Sequence, residues 1–227
     1  WVHSNRAVMT WSPDSKKVST YKQDQRNVND MYLVSTNVGA PKLESWKYEL
    51  PGDTAIFKIY RCIVYVDQPK VVMLDVPADP RRSTLSDNIS SDGKMNDIDW
   101  STDGSKFAFV STSRDHKIEK VRIADATTGI VKEIFQQTVP TQFESGWDVI
   151  NCRYLSGSNE FIWFSERDNY GHLYLYDAGT GQFKNQITKG DYIVTDLRKV
   201  DTKSRTLYFM AVGLEKQNPY FAQFCSV

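Results

Sequence analysis

The densest polar constellation in this 227-residue sequence is Ser165-Glu166-Arg167-Asp168-Asn169-Tyr170-Gly171-His172, which links two apolar runs. Glu166, Arg167, Asp168 and His172 put two carboxylates, a guanidinium and an imidazole within one turn. That set could bind a polar ligand, or it could form a structural corner in which Arg167 bridges carboxylates and backbone carbonyls with its planar fork. Ser111-Thr112-Ser113-Arg114-Asp115-His116 parallels it upstream, and an element repeated in neighbouring units points to architecture. A second candidate is Phe143-Glu144-Ser145-Gly146-Trp147-Asp148. In an exposed loop Glu144, Trp147 and Asp148 would line a substrate passage; otherwise Trp147 packs between units.

Motifs that carry catalysis on their own are absent. There is no G-x-S-x-G elbow, H-E-x-x-H, P-loop, G-x-G-x-x-G or EF-hand loop. No catalytic residue is therefore assigned, and no cofactor is expected. His3, His116 and His172 lie far apart in different units, which argues against a three-histidine metal site. The cysteines, Cys62, Cys152 and Cys225, are odd in number and lack C-x-x-C spacing. They read as buried thiols in or beside strands.

The elements that must hold these residues emerge from self-comparison. Four anchors, Trp11-Ser12-Pro13-Asp14, Trp100-Ser101-Thr102-Asp103, Tyr154-Leu155-Ser156-Gly157 and Val200-Asp201-Thr202, are each followed seven residues later by an apolar strand. These strands begin at Val18, Phe107, Phe161 and Leu207. A second strand follows the anchor by about twenty residues, at Met31, Val121, Leu173 and Tyr220. The long first gap holds an anchorless hairpin, Ile63 to Val72, that matches Leu173 to Gln182. Turn residues alternate with β-branched and aromatic runs, and only weak helical candidates occur, near Asp115 to Lys120. Such repeats cannot cover their own two faces and must stack. The expectation is an all-β chain, a β-propeller of about five four-stranded antiparallel blades, some partial, with units near 1–42, 43–90, 91–140, 141–190 and 191–227. A β-sandwich is the alternative.

Composition narrows the partners. Lys plus Arg and Asp plus Glu are 28 each, so no net field favours nucleic acid. A hydrophobic content of 40% excludes a disordered chain, and no apolar run is long enough to span a membrane. The chain opens one short strand before an anchor and stops inside a unit, so a segment of a longer polypeptide is expected. Exposed blade faces at its ends would favour a homodimer.

The anchors Trp11-Ser12-Pro13-Asp14 and Trp100-Ser101-Thr102-Asp103 and the run Phe164 to Asp177 resemble the N-terminal propeller of bacterial dipeptidyl peptidase IV-type proteins, in the prolyl oligopeptidase clan (S9) of serine peptidases. Tyr48-Glu49-Leu50-Pro51-Gly52-Asp53 and Gln186-Ile187-Thr188-Lys189-Gly190-Asp191 resemble two further tracts of that family. The resemblance implies an eight-bladed parent propeller capping a downstream α/β-hydrolase domain of the same polypeptide. That domain would hold the catalytic triad, and the parent would act on peptide substrates outside the cytoplasm, in the periplasm. The propeller fragment would gate and help bind those peptides. Where the family carries paired glutamates for the substrate amine, this chain reads Val2-His3-Ser4-Asn5-Arg6. The alternative function is a TolB-like or WD40-like scaffold for protein partners.

Overall fold

A computed structural model describes residues 8–80, 95–143, 152–215 and 218–227, with no helix among them. The strands in chain order are β1 (Thr10–Trp11), β2 (Lys17–Asp24), β3 (Asp30–Ser35), β4 (Lys42–Lys47), β5 (Lys58–Tyr65), β6 (Val71–Met73), β7 (Asp79–Pro80), β8 (Ile98–Trp100) and β9 (Lys106–Thr112). They continue as β10 (Ile118–Asp125), β11 (Val131–Thr138), β12 (Cys152–Leu155), β13 (Glu160–Ser165), β14 (His172–Asp177), β15 (Phe183–Gln186), β16 (Ile193–Asp201), β17 (Thr206–Val212) and β18 (Ala222–Ser226). Four antiparallel sheets follow one another: β1-β2-β5-β6 with β7 also on β5, then β8 to β11, β12 to β15, and β16 to β18. These are blades one to four.

Two sequence expectations are corrected by the pairing. The strands attributed to units 1–42 and 43–90 share one sheet, because β2 pairs with β5 from Lys17↔Tyr65 to Asp24↔Lys58. The Met31 strand is not the third strand of blade one. It pairs with β4 as a separate two-stranded ribbon inserted between β2 and β5. The apolar pattern of Met31 to Val34 is that of any strand, and only the long-range pairing of β2 with β5 reveals the insertion. Likewise Asp115 to Lys120 is the turn between β9 and β10 and the start of β10, not a helix.

The packing follows from strand alternation. Successive side chains point to opposite faces, so a strand covered on both sides needs apolar side chains on both faces. β13 is such a strand: Glu160 to Ser165 is buried throughout. Phe161 and Trp163 join Val110 and Val121 of blade two, whereas Ile162 and Phe164 join Val194, Leu197 and Phe209 of blade four. β9 repeats the arrangement, with Phe107 and Phe109 packed against Ile63 and Val72 of blade one and Ala108 and Val110 facing blade three. Each fully buried Phe or Leu contributes about 1.5–3 kcal/mol, so these three inter-blade cores hold the stack together.

Polar turns fix the blade edges. In the first two anchors Ser12 and Ser101 donate to Asp14 and Asp103, at 2.5 and 2.7 Å, and accept the backbone N–H of Lys17 and Lys106, at 3.0 and 2.9 Å. The spacing Ser-x-Asp therefore closes the same loop twice. At the outer hairpins Asp125 and Asp177 accept the backbone N–H groups of Thr128 and Thr180 at 2.9 and 2.7 Å. Gly129 and Gly181 then sit at φ of +79° and +76°. A Cβ there would overlap the carbonyl oxygens of Met73 and Ile134, in the outer strands of the preceding blades.

At the blade three–four rim the buried Glu160 pairs with Arg205 at 2.9 Å and with Lys184. The bond from Arg205 outweighs burial and, with help from Lys184, lowers the Glu160 carboxyl to about 2. This stability is present above the ordinary value of 4.5 and lost as pH falls through about 2. With both cations partly exposed, it amounts to roughly 1–3 kcal/mol. Glu160→Gln should flatten the fall in urea stability between pH 5 and 2; an unchanged pH slope would remove the ion pair from the account. Gly181→Ala should cost about 2 kcal/mol or more through strain at positive φ and the clash. Gly157→Ala, whose Cβ would meet nothing within 4 Å, is its control. Equal urea midpoints for the two variants would refute the close-approach argument.

Candidate functional site

An antiparallel meander places its first and third turns at one end of the blade and its middle turn at the other. The Ser165–His172 constellation is the middle turn of blade three. Ser165 ends β13, His172 begins β14, and the two face each other in register. Asn169 takes φ +73°, and the backbone at Gly171 leaves a Cβ no room beside the Phe164 ring. The turn is thus tightly specified.

Arg167 is the centre of the cluster. Its guanidinium lies 4.2 Å from the Tyr174 ring centroid. It donates to Ser165 Oγ at 3.2 Å, to Tyr176 OH at 2.6 Å and to Gln137 Oε1 at 3.0 Å. Gln137 belongs to β11 of blade two. Its Oε1 also accepts the Trp163 indole N–H at 2.7 Å, and its Nε2 donates to Ser165 Oγ at 2.6 Å. Arg167 thus bridges two blades, but through neutral oxygens and aromatic faces rather than the carboxylates and backbone carbonyls expected from sequence. Asp168 instead accepts Gln186 Nε2 at 2.7 Å. Burial opposes its charge, yet hydrogen bonds from Gln186 and Tyr174 prevail and lower its carboxyl.

His172 is buried. Its Nε2 lies 2.9 Å from the Gly190 carbonyl, which can only accept, so that nitrogen carries a proton; Nδ1 meets Thr188 Oγ1 at 3.1 Å. It fastens β14 to the segment leading to blade four. Glu166 is exposed at the turn. Glu144, Trp147 and Asp148 lie outside the described residues, as does His3. Arg114, in the parallel turn of blade two, donates to the carbonyls of Leu50, at 2.8 Å, and Asp53. Arg167 therefore ties its middle turn to the preceding blade, and Arg114 ties the parallel turn to the segment between β4 and β5.

One charged cluster escaped sequence reasoning. Arg61 of β5, fully inside, contacts Asp79 at 3.2 Å and Asp97, and donates to the Val110 carbonyl at 3.2 Å. Arg122 donates to Ser111 at 2.7 Å, and Ser111 donates to Asp79 at 2.9 Å. Burial disfavours the Arg61 charge, but Asp97 and Asp79 overcome it and raise its pKa. The only trace in the sequence is an arginine inside the apolar run Tyr60 to Val64. Two of the three thiols match their expected role, Cys62 and Cys152 being buried with burial pushing both thiols up, whereas Cys225 in the edge strand β18 is only half-buried. Among the described residues no group of three His, Cys, Asp or Glu side chains is placed to hold a metal.

Two concavities accompany these joints. One of about 910 Å³ is lined by residues of blades two, three and four, among them Trp100, Arg153, Tyr154, Ile162, Leu175 and Leu207. The other, about 620 Å³, lies where Tyr48, Leu50 and Pro51 of the segment after β4 meet Arg114 and His116.

Consecutive four-stranded meanders stacked face to face define a β-propeller. The chain belongs to the dipeptidyl peptidase IV (DPP IV) N-terminal region family, whose model matches residues 1–227. Dipeptidyl peptidase 4 of Arthroderma otae is 28% identical over 107 residues, covering 45% of this chain and 13% of that protein; the Trichophyton rubrum protein of the same name is 25% identical over the same length. Two solved bacterial structures share the fold. One is a Bacteroides ovatus protein assigned as a dipeptidyl aminopeptidase IV, with TM-score 0.73 and 20% identity over 96% of this chain and 31% of that one. The other is Porphyromonas gingivalis dipeptidyl peptidase 4, with TM-score 0.72 and 20% identity over 96% and 29%. The chain thus spans less than a third of either bacterial protein. Among the described residues no helix is long and apolar enough to cross a membrane.

If Arg167 is a joint rather than a ligand site, Arg167→Ala should lower stability by roughly 1–3 kcal/mol, because Gln137 and Tyr176 lose a charged donor. Arg167→Lys should recover little, since an ammonium cannot replace the fork stacked on Tyr174. A wild-type urea midpoint in both variants, with changed peptide kinetics in the full-length protein, would reassign the residue to binding.

Proposed function

We propose that this chain is a non-catalytic propeller segment of an exported S9-type serine peptidase of the dipeptidyl peptidase IV kind, and that it gates and helps bind peptide substrates. The observation that carries this reading is the family match along the whole chain. The relatives named dipeptidyl peptidase 4 support a peptidase parent. The mechanism proposed is steric: a propeller of eight blades over a hydrolase domain admits short or flexible peptides and excludes folded chains, while its loops orient the peptide. The middle-turn end of the blades is the end proposed to face that domain, since the Ser165–His172 turn belongs to it.

The test compares two proteins with Ala-Pro and Gly-Pro chromogenic substrates and a serine-directed probe. The 227-residue chain should neither turn over substrate nor take the label, and the full-length protein should do both, with kcat/KM falling steeply as the substrate becomes folded. An inert full-length protein would overturn the peptidase reading. Turnover by the chain alone, abolished by a serine substitution within it, would overturn its non-catalytic part.

A further inference from the structure

The residue before the anchor reaches into the next blade twice. Asp99, before Trp100, accepts the Tyr154 backbone N–H of β12 at 2.6 Å; Arg153, before Tyr154, donates to the Leu197 carbonyl of β16 at 2.8 Å. Only the first of these links can change its charge near neutral pH, because a guanidinium stays protonated. Asp99 joins the first strands of blades two and three through a carboxylate.

The surroundings of that carboxylate work against its charge. Across the joint lie Cys152 and Tyr154, both buried in the core that blades two and three share. Arg153 is the cation that acts on Asp99, but among the described residues the two form no ion pair, and the guanidinium donates to the carbonyls of Cys152 and Leu197. Asp97 and Glu119 of blade two act with Asp99 on the Cys152 thiol, and Asp103 acts on the Tyr154 hydroxyl. Asp97 is answered by Arg61, and Glu119 accepts Thr112 Oγ1 at 3.4 Å. Burial therefore outweighs both the Tyr154 bond and the Arg153 charge, and it raises the Asp99 carboxyl. The turn carboxylates Asp125, Asp177 and Asp201, which accept N–H groups of their own blades, are lowered instead.

Asp99 is half-buried and lines the cavity of about 910 Å³, so solvent protons reach it without the blades parting. Opening the joint returns the carboxyl to water and to its ordinary value of 3.8. The closed joint thus holds the proton more tightly than the open one, so acid favours closure and ionisation favours opening. We propose that Asp99 is a proton-operated latch between the first strands of blades two and three, tightening their joint in mild acid and loosening it as the pH rises. The inference does not rest on the peptidase reading.

The Tyr154 amide is the reporter, because its N–H is the donor of the latch. Hydrogen exchange of the full-length protein is followed by mass spectrometry between pH 4 and 8 on peptides spanning residues 152–158, with the intrinsic pH dependence of exchange divided out. Protection should fall about threefold or more as the pH rises. Asp99→Asn keeps an acceptor oxygen for the N–H and should hold protection constant. Arg153→Met removes a charge that favours the ionised form and should move the fall to higher pH. Peptides spanning residues 59–65, where Arg61 answers its two acids, should not follow the trend. Flat protection in the wild type, a fall that persists in Asp99→Asn, or the same fall in residues 59–65 would overturn the proposal. Should Asp99→Asn fail to fold, the wild-type profile and its displacement in Arg153→Met decide.

Discussion

The structure rests on one constraint: the inner strands β9, β13 and β14 carry apolar side chains on both faces, and a sheet of that kind is insoluble until both faces are covered. β13 states it most plainly, since Phe161 and Trp163 require blade two and Ile162 and Phe164 require blade four. Stability is therefore a property of joints rather than of blades, as in other repeat proteins where each unit contacts only its neighbours. The inserted ribbon of β3 and β4 is the counterexample within the same chain. It lies outside this stack, and Tyr32, Val34 and Leu43 are correspondingly exposed.

Each joint adds a different polar lock to its apolar core. Between blades one and two it is a buried ionic system around Arg61, where both acids and a carbonyl converge on one guanidinium. Removing one partner from such a cluster is costly, because the opposite charge is then stranded away from water. Between blades two and three it is the amide of Gln137, shared by Trp163, Ser165 and Arg167. Between blades three and four it is Glu160 at one end and His172 at the other. The direction of each contact also sets blade order: Asp99 of β8 reaches the backbone of β12, and Arg153 of β12 reaches that of β16. Directional bonds of this kind specify which blade follows which, something the non-directional apolar cores do not do.

The legible part of the fold was local. Ser-x-Asp loops, Asp-x-x-Thr-Gly hairpins and period-two apolar runs are written in consecutive residues, and so the strands beginning near Val18, Phe107, Phe161 and Leu207 fall where the spacing places them. The illegible part was pairing. Met31 to Val34 and Ile59 to Val64 are equally good strands, and the choice of β5 as partner of β2 is made by Ile63 docking against blade two, a contact between distant residues. The same limit governs the site. The turn Ser165–His172 was visible as a polar cluster, and Arg167 was visible as its fork. Its partner Gln137 was not, because an amide in a strand carries no mark of the guanidinium it will meet. Arg61 was hidden for a similar reason: its acids lie in two other segments.

A conspicuous polar cluster and a functional site are therefore different things in this fold. Ser165, Arg167, Asp168 and His172 attracted notice because they are crowded in sequence, but crowding in a turn is what a joint needs: short reach, many donors and acceptors, each satisfied by the next blade. Binding needs the opposite, groups left with capacity after the architecture has taken its share. In a stack of two-faced sheets, a residue's availability is settled by the blade beside it, and chemistry is to be sought where that blade leaves a charge unanswered.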